Sequence, residues 1–178
     1  MMQRTLLYIG LIVFISCKND TALVKQVSTD LELPISSTKN VEMLYTDSAR
    51  LRAKIKAPKR DTYLGEKERI EFTEGVDVRF YNEDGSESGE LKAKYAINNT
   101  KNEQMIARNN VQLVNKLEGK KLETEELIWD QKSGRIYSDK FSKITSKQEV
   151  IYGDGFESNQ DFSQYRILKI RGIVNLEE

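Results

Sequence analysis

Apolar and polar residues alternate through most of the chain from Val41 onward. Residues 49–57, 76–80, 91–95 and 168–171 carry apolar side chains at every second position. This is the period of a strand with one buried face. The runs are rich in Val, Ile, Tyr, Phe and Thr, which favour a half-buried sheet. No segment keeps a 3.6-residue period over three turns, so the pattern predicts an all-β domain.

Short polar clusters separate these runs and predict turns. They contain Asn, Asp, Gly, Ser and Lys and lie at residues 82–86, 98–102, 117–120, 130–134 and 153–155. Such clusters between alternating runs are typical of hairpin connections. Residues 82–86 join two alternating runs directly and predict a β-hairpin.

The alternating runs also form an internal repeat. Residues 91–99 align with residues 122–130 at an offset of 31, and the same offset places Leu113 over Ile144. A unit of strand, turn, strand and turn cannot bury its apolar face alone, so stacked units must share a core. The predicted result is a sheet pair with open ends. Its unpaired edge strands are suited to strand addition by a partner.

The first forty residues predict an export signal and a tether. A basic start precedes about ten apolar residues, the length of a signal-peptide core rather than of a membrane-spanning helix. Phe14-Ile15-Ser16-Cys17 resembles a bacterial lipobox, with Phe14 where leucine is usual. We therefore expect a signal peptide at residues 1–16, lipidation of Cys17 and a polar tether over 17–40, ahead of the domain at 41–178. The alternative is an uncleaved signal anchor.

Composition excludes several kinds of chemistry. The chain has no histidine and one cysteine, which rules out His-dependent hydrolases, His-ligated zinc and intrachain disulfides. Lys and Arg balance Asp and Glu at 28 each, which argues against a nucleic-acid binder. No phosphate-binding glycine loop is present. The metal sites left open are all-oxygen ones, and no spaced acidic loop of the EF-hand kind appears, so we predict no cofactor and no metal.

One acidic group could support a carboxylate-only hydrolase. Glu125, Glu126 and Asp130 lie close in sequence, but a glycosidase needs two carboxyl groups that converge across a cleft. A strand end and turn place such side chains in solvent, and this is the favoured interpretation. The hydrolase remains a third hypothesis.

Several motifs together resemble the LptC family, the membrane-anchored periplasmic component of the lipopolysaccharide export machine. They lie at residues 107–113, 124–130, 136–140, 151–156 and 170–174. Bridge proteins of the OstA type share the repeat. The resemblance covers about residues 41–175. The departures are the lipobox, where the family often has a transmembrane helix, and a charged insertion near 59–68.

The resemblance implies an elongated, twisted, open β-jelly roll built from repeated strand pairs. It also implies a non-enzymatic carrier and scaffold, lipid-anchored at the periplasmic face of the inner membrane. This protein would accept lipopolysaccharide from an inner-membrane ABC transporter and pass it to an OstA-like periplasmic bridge protein. The N-terminal edge would face the transporter. The C-terminal strand would pair with the bridge protein through Arg166, Ile167, Leu168, Ile170 and Ile173.

A pair of sheets offers an apolar trough for the lipid A acyl chains along alternate side chains. The candidates for this groove are Val76, Val78, Phe80, Leu91, Ala93, Met105, Ala107, Val111, Leu113, Leu122, Leu127, Ile136 and Ile144. Ser142 stands where the repeat places Val111, so this column is not uniformly apolar.

The alternative for the groove residues is an ordinary sealed core. The protein would then be an envelope lipoprotein that binds glycan or protein through its loops. Trp129 is expected to pack in the sheet rather than to stack on a ligand. Five lysines could meet lipid A phosphates, although a solvated surface is favoured for them: Lys120, Lys121, Lys140, Lys143 and Lys147.

Overall fold

The computed structural model describes residues 32–65, 68–160 and 162–176, and it confirms the all-β prediction. None of these residues belongs to a helix that could span a bilayer. The strands are β1 (Ser36–Asp47), β2 (Arg50–Tyr63), β3 (Arg69–Phe72), β4 (Val76–Tyr81), β5 (Glu87–Ala93), β6 (Tyr95–Asn99), β7 (Gln104–Asn115), β8 (Lys120–Asp130), β9 (Arg135–Thr145), β10 (Glu149–Asn159), β11 (Tyr165–Ile167) and β12 (Ile170–Asn175).

The strands form an antiparallel meander that is bent into two arms. We call arm A the part that contains β4, β5 and β12, and arm B the part that contains β3, β6 and β11. Strands β2 and β7–β10 run through both arms, so that β10 pairs with β12 in arm A and with β11 in arm B. The predicted jelly roll of repeated strand pairs is confirmed in this form.

Register shifts mark the bend. They lie between Arg108 and Val111 on β7, between Thr124 and Ile128 on β8, and between Asp154 and Phe156 on β10. Bulges of this kind re-aim a strand while pairing continues on both sides. On β7 two residues, Asn109 and Asn110, stand opposite the single residue Glu125 of β8. Their φ values are 64° and 56°, a conformation that asparagine tolerates better than most residues.

The first hairpin begins before the predicted domain boundary. Strand β1 starts at Ser36, five residues ahead of Val41, and pairs with β2 along its full length. The two-residue turn between them is Ser48-Ala49, with both φ values positive, as the twist of a tight hairpin requires. The predicted signal peptide at 1–16 and the lipidation site Cys17 lie outside the described residues.

The first four predicted turns fall at or beside strand ends, whereas the turn predicted at residues 153–155 is wrong. Gly153 and Gly155 lie inside β10, where the C-terminal segment passes closely over them. A Cβ at Gly153 would sit 2.2 Å from Cγ2 of Ile167 and 2.7 Å from the carbonyl oxygen of Leu168. These glycines therefore provide close approach rather than a reversal of the chain.

One apolar cluster joins the two arms. It contains residues of arm A, such as Leu113 and Leu122, and residues of arm B, such as Leu127 and Phe156. Leu122 and Phe156 are fully buried, at 0% exposure. Because each arm has one apolar face, burial of both faces in a common cluster drives the sheet to bend.

Candidate functional site

The interior of arm A carries a continuous row of aliphatic side chains. Val78 pairs with Leu91, Leu91 with Leu113, Leu113 with Leu122, and Leu122 with Ile144. Paired residues of adjacent antiparallel strands point to the same face. The row explains the sequence repeat, because positions 31 residues apart fall on the same line across the sheet.

The predicted groove residues converge on this interior, with one exception. Nine belong to the buried cluster, and Val78, Phe80 and Leu91 pack against it. Met105 lies outside the cluster, partly buried, where it pairs with Trp129 on β8. The alternation therefore located the apolar interior.

Burial changes along the row. Val78 and Leu91 are partly exposed, whereas Leu113, Leu122 and Ile144 are 5%, 0% and 1% exposed. Along this row the apolar interior is thus partly accessible at Val78 and Leu91 and closed from Leu113 to Ile144. An accessible apolar surface that continues into a dry interior can accept an acyl chain, since each buried CH₂ contributes about 0.8 kcal/mol.

A buried hydroxyl cluster interrupts the apolar interior at the bend. Thr124 Oγ1 lies 3.2 Å from Ser138 Oγ and 3.5 Å from Ser142 Oγ, and it donates to the carbonyl oxygen of Phe141 at 3.0 Å. The sequence identified the departure at Ser142 but not its two partners. These hydroxyls hydrogen-bond to one another and to two carbonyl groups of the bulged β9, those of Phe141 and Lys140, so they fix the bend.

Aromatic rings close the interior near the C-terminus. Phe162 is 2% exposed and lies edge-on to Phe156, with ring centroids 5.6 Å apart; Tyr165 packs against both. The Asn159 side chain accepts a hydrogen bond from the Gln164 backbone N–H at 2.9 Å. Sequence reasoning missed this closure, because Phe162 stands alone in a polar stretch.

The two outer strands of the meander are β1 and the β11–β12 segment. Ile170 and Ile173 on β12 are 57% and 53% exposed, and Leu44 and Tyr45 on β1 are 60% and 58% exposed. Each of these strands pairs with one neighbour among the described residues. Exposed apolar side chains on an unpaired edge favour addition of a partner strand.

The predicted edge residues differ in their surroundings. Arg166 donates two hydrogen bonds to Glu157, at 3.0 and 2.6 Å, and these bonds lower the pKa of the Glu157 carboxyl group. Ile167 packs against the core cluster, and the Leu168 backbone N–H bonds to the carbonyl oxygen of Gly155. Ile170 and Ile173 are therefore the edge residues whose side chains are free for a partner.

The acidic residues near the β8–β9 turn have structural partners. Asp130 Oδ1 accepts hydrogen bonds from the backbone N–H groups of Lys132 and Ser133, both at 3.1 Å. Glu126 forms an ion pair with Arg108, and Glu125 accepts a bond from the Asn110 backbone. Within the described ranges no group of three His, Cys, Asp or Glu residues could hold a metal ion.

Most of the candidate lysines form ion pairs on the surface. Lys121 and Lys143 both contact Glu123, at 2.9 and 3.4 Å, and Lys140 contacts Asp139 at 3.0 Å. Hydrogen bonding by Lys121 lowers the pKa of Glu123. Lys120 pairs with Glu118 and reaches the Tyr165 ring. This arrangement fits the solvated surface that the sequence favoured.

Comparison with known proteins assigns the chain to one family. No curated protein matches the sequence. A family described as "Lipopolysaccharide-assembly, LptC-related" matches residues 5–175, nearly the whole chain. This family is an envelope-associated component of lipopolysaccharide transport that interacts with lipopolysaccharide and its transport system, and it is not a known family of enzymes. An all-β chain with a shared apolar interior and two open edges thus belongs to the LptC-related family of lipopolysaccharide-assembly proteins.

Proposed function

We propose that this protein is a non-enzymatic carrier that holds the acyl chains of lipopolysaccharide between its two arms. It accepts the lipid from an inner-membrane ABC transporter and passes it to an OstA-like periplasmic bridge protein. A lipid on Cys17 anchors it at the periplasmic face of the inner membrane, and residues 17–35 tether the domain.

This proposal rests on the decrease in side-chain exposure along the aliphatic row of arm A. Partly exposed side chains at Val78 and Leu91 offer an entry, and the adjoining Leu113 and Leu122 offer a dry continuation. The sugars and phosphates stay in water, beyond the ends of the strands. The energy for transfer comes from the transporter, so the chain needs no catalytic group.

The two open edges support the scaffold role. Strand β1 would face the transporter, and β12 would extend the sheet into the bridge protein through Ile170 and Ile173. Strand addition at β12 would continue the apolar interior across the joint, because Ile173 pairs with Ile151, which pairs with Ile144 of the interior row.

Photo-crosslinking in living cells tests the carrier role. A photoreactive amino acid at Phe80 or Leu91 should give a lipopolysaccharide adduct that depends on ATP. The same amino acid at Leu113 should give a weaker adduct. Arg79 and Lys92 are matched controls, because they neighbour these positions in sequence and point to the opposite face. Equal adducts at interior and control positions would contradict the proposal.

The aromatic rings that close the interior near the C-terminus favour a second function. Full burial of Phe156 and near-full burial of Phe162 are typical of a sealed core. The protein would then be an envelope lipoprotein that binds glycan or protein through its loops. No adduct at Phe80, Leu91 or Leu113, in a folded and expressed protein, would select this alternative.

A further inference from the structure

The indole N–H of Trp129 is buried without a hydrogen-bond partner among the described residues. Trp129 is the single tryptophan of the chain, and its ring packs against the core cluster. Buried tryptophan N–H groups normally find an acceptor, because an unsatisfied donor costs the free energy of its desolvation. Trp129 as a whole is partly exposed near the end of β8, so an orphan donor there points to an acceptor that comes from a ligand.

The neighbours of Trp129 explain why the protein itself supplies no acceptor across the strands. Met105 faces Trp129 from β7, and Ile136 faces it from β9. Neither side chain carries a strong hydrogen-bond acceptor, and Ile136 is 7% exposed. A charged acceptor such as phosphate would be costly among these side chains, whereas a neutral oxygen would not.

Trp129 also lies at a definite depth in arm B. Leu127, two residues earlier on the same face of β8, is 3% exposed, and the strand ends at Asp130 before an exposed turn. Trp129 thus lies between the dry interior and water. In an acylated amphiphile this is the level of the carbonyl group, which joins the apolar chain to the polar head.

We infer that Trp129 is a specificity-determining residue whose Nε1–H donates a hydrogen bond to the acyl carbonyl oxygen of the bound amphiphile. The inference rests on the proposed carrier function and adds to it a chemical reason to prefer acyl over alkyl chains. Apolar contacts hold either kind of chain, but only the acyl linkage offers the oxygen.

Two uncharged amphiphiles with ten-carbon chains and disaccharide heads separate binding from hydrogen bonding. Sucrose monodecanoate has an ester carbonyl, and decyl maltoside has none. Each is added below its micelle concentration to the full chain labelled with ¹⁵N. Because the chain has one tryptophan, one indole N–H resonance reports the hydrogen bond, while Trp129 fluorescence reports occupancy. Both amphiphiles should change the fluorescence, but only the ester should move the indole proton downfield.

The outcomes separate the two hypotheses. Both amphiphiles could change the fluorescence and yet give the same indole proton shift. That result refutes the hydrogen bond, and the carrier function stands. If neither amphiphile binds, as measured also by calorimetry, the interior is sealed and both hypotheses fail.

Trp129→Phe provides an independent test, because it keeps a ring and removes the donor. Its affinity for sucrose monodecanoate should fall about fivefold, as expected for one neutral hydrogen bond, with affinity for decyl maltoside unchanged. Ile136→Val is the matched control from the same row, and it should affect both amphiphiles alike. An equal loss for both amphiphiles in Trp129→Phe would show a packing role only and overturn the inference.

Discussion

The side-chain nitrogen of Lys120 lies 4.9 Å from the centroid of the Tyr165 ring. Lys120 begins β8 in arm A, and Tyr165 begins β11 in arm B. The contact is a cation–π interaction between the two arms. It lies beside the Phe156–Phe162 pair, at the end where the interior is closed, so it helps to hold the arms together there.

A double-mutant cycle with Lys120→Met and Tyr165→Leu should measure this contact. We expect a coupling free energy of about 0.5–1 kcal/mol in urea unfolding, the range for partly exposed cation–π pairs. The cycle cancels the ion pair of Lys120 with Glu118, because that pair is lost in both variants that lack the lysine. A coupling of zero would show that the arms do not depend on this contact.

Gly153→Ala should detach the C-terminal segment. The new Cβ would lie 2.2 Å from Cγ2 of Ile167, so the side chain or β11 must move, at a cost of about 1–3 kcal/mol. Hydrogen exchange should show lost protection of β11 and β12. Gly172→Ala is the matched control, since a Cβ there meets nothing within 4 Å. Similar exchange in both variants would mean that Gly153 is not needed for close approach.

Phe162→Ala should destabilise the protein far more than Phe141→Ala. Phe162 is 2% exposed among aromatic rings, and its loss should cost about 3–5 kcal/mol. Phe141 is 50% exposed and packs on Tyr152 alone among the aromatic rings described, so its loss should cost less than about 1 kcal/mol. Thermal unfolding of both variants checks the contrast. Comparable losses would show that Phe162 does not close the core.

Asp61→Asn should weaken the fold at neutral pH but not in strong acid. Asp61 is 2% exposed, and Lys59 Nζ lies 2.8 Å from its Oδ2. Hydrogen bonds from Lys59, Ser37 and Thr73 lower its pKa below 3.8, although burial alone would raise it. A lowered folded pKa contributes stability above the unfolded pKa, and this stability is lost as pH falls through the folded value.

The difference in urea midpoint between wild type and Asp61→Asn should therefore be largest above about pH 4 and narrow in more acidic solution. Asp139→Asn is the control, because Asp139 is exposed and pairs only with Lys140 among the ion pairs described. It should differ little from wild type at any pH. A constant difference for Asp61→Asn across this range would contradict the role of its charge.

Acidic substitutions at the two edges should have different effects on assembly. Ile173→Asp should reduce co-purification with the bridge protein, because a charge on the edge disfavours strand addition. Leu44→Asp on β1 should instead reduce co-purification with the transporter. Each variant is the control for the other. Loss of the same partner in both would contradict the assignment of the edges.

The sequence predicted those parts of the fold that depend on local pattern. Alternation located the strands and their inward faces, and the 31-residue offset correctly related Leu91 to Leu122 and Leu113 to Ile144. These positions are predictable because each inward face must be apolar, whichever strand lies beside it. The predicted membership of the LptC family was also correct.

The parts that depend on close approach between distant segments were not predictable. Gly153-Asp154-Gly155 has the composition of a turn, yet it lies within a strand because Ile167 and Leu168 pass over it. Asn109-Asn110 has the composition of a loop, yet it forms a left-handed bulge inside β7, between the buried Ala107 and Val111. Phe162 has no apolar neighbours in sequence, and only the folded chain brings it to Phe156. Whether the groove residues bind lipid stays a prediction.

The neighbour-to-neighbour pairing of the bent strands has a consequence for how the protein folds. Most pairings join strands that are consecutive or one strand removed in the chain, and the β3–β6 pairing skips two strands, so the loops that must close stay short. Each pairing is thus made within a local part of the chain. The protein is expected to tolerate gain or loss of a 31-residue unit as a change in length alone.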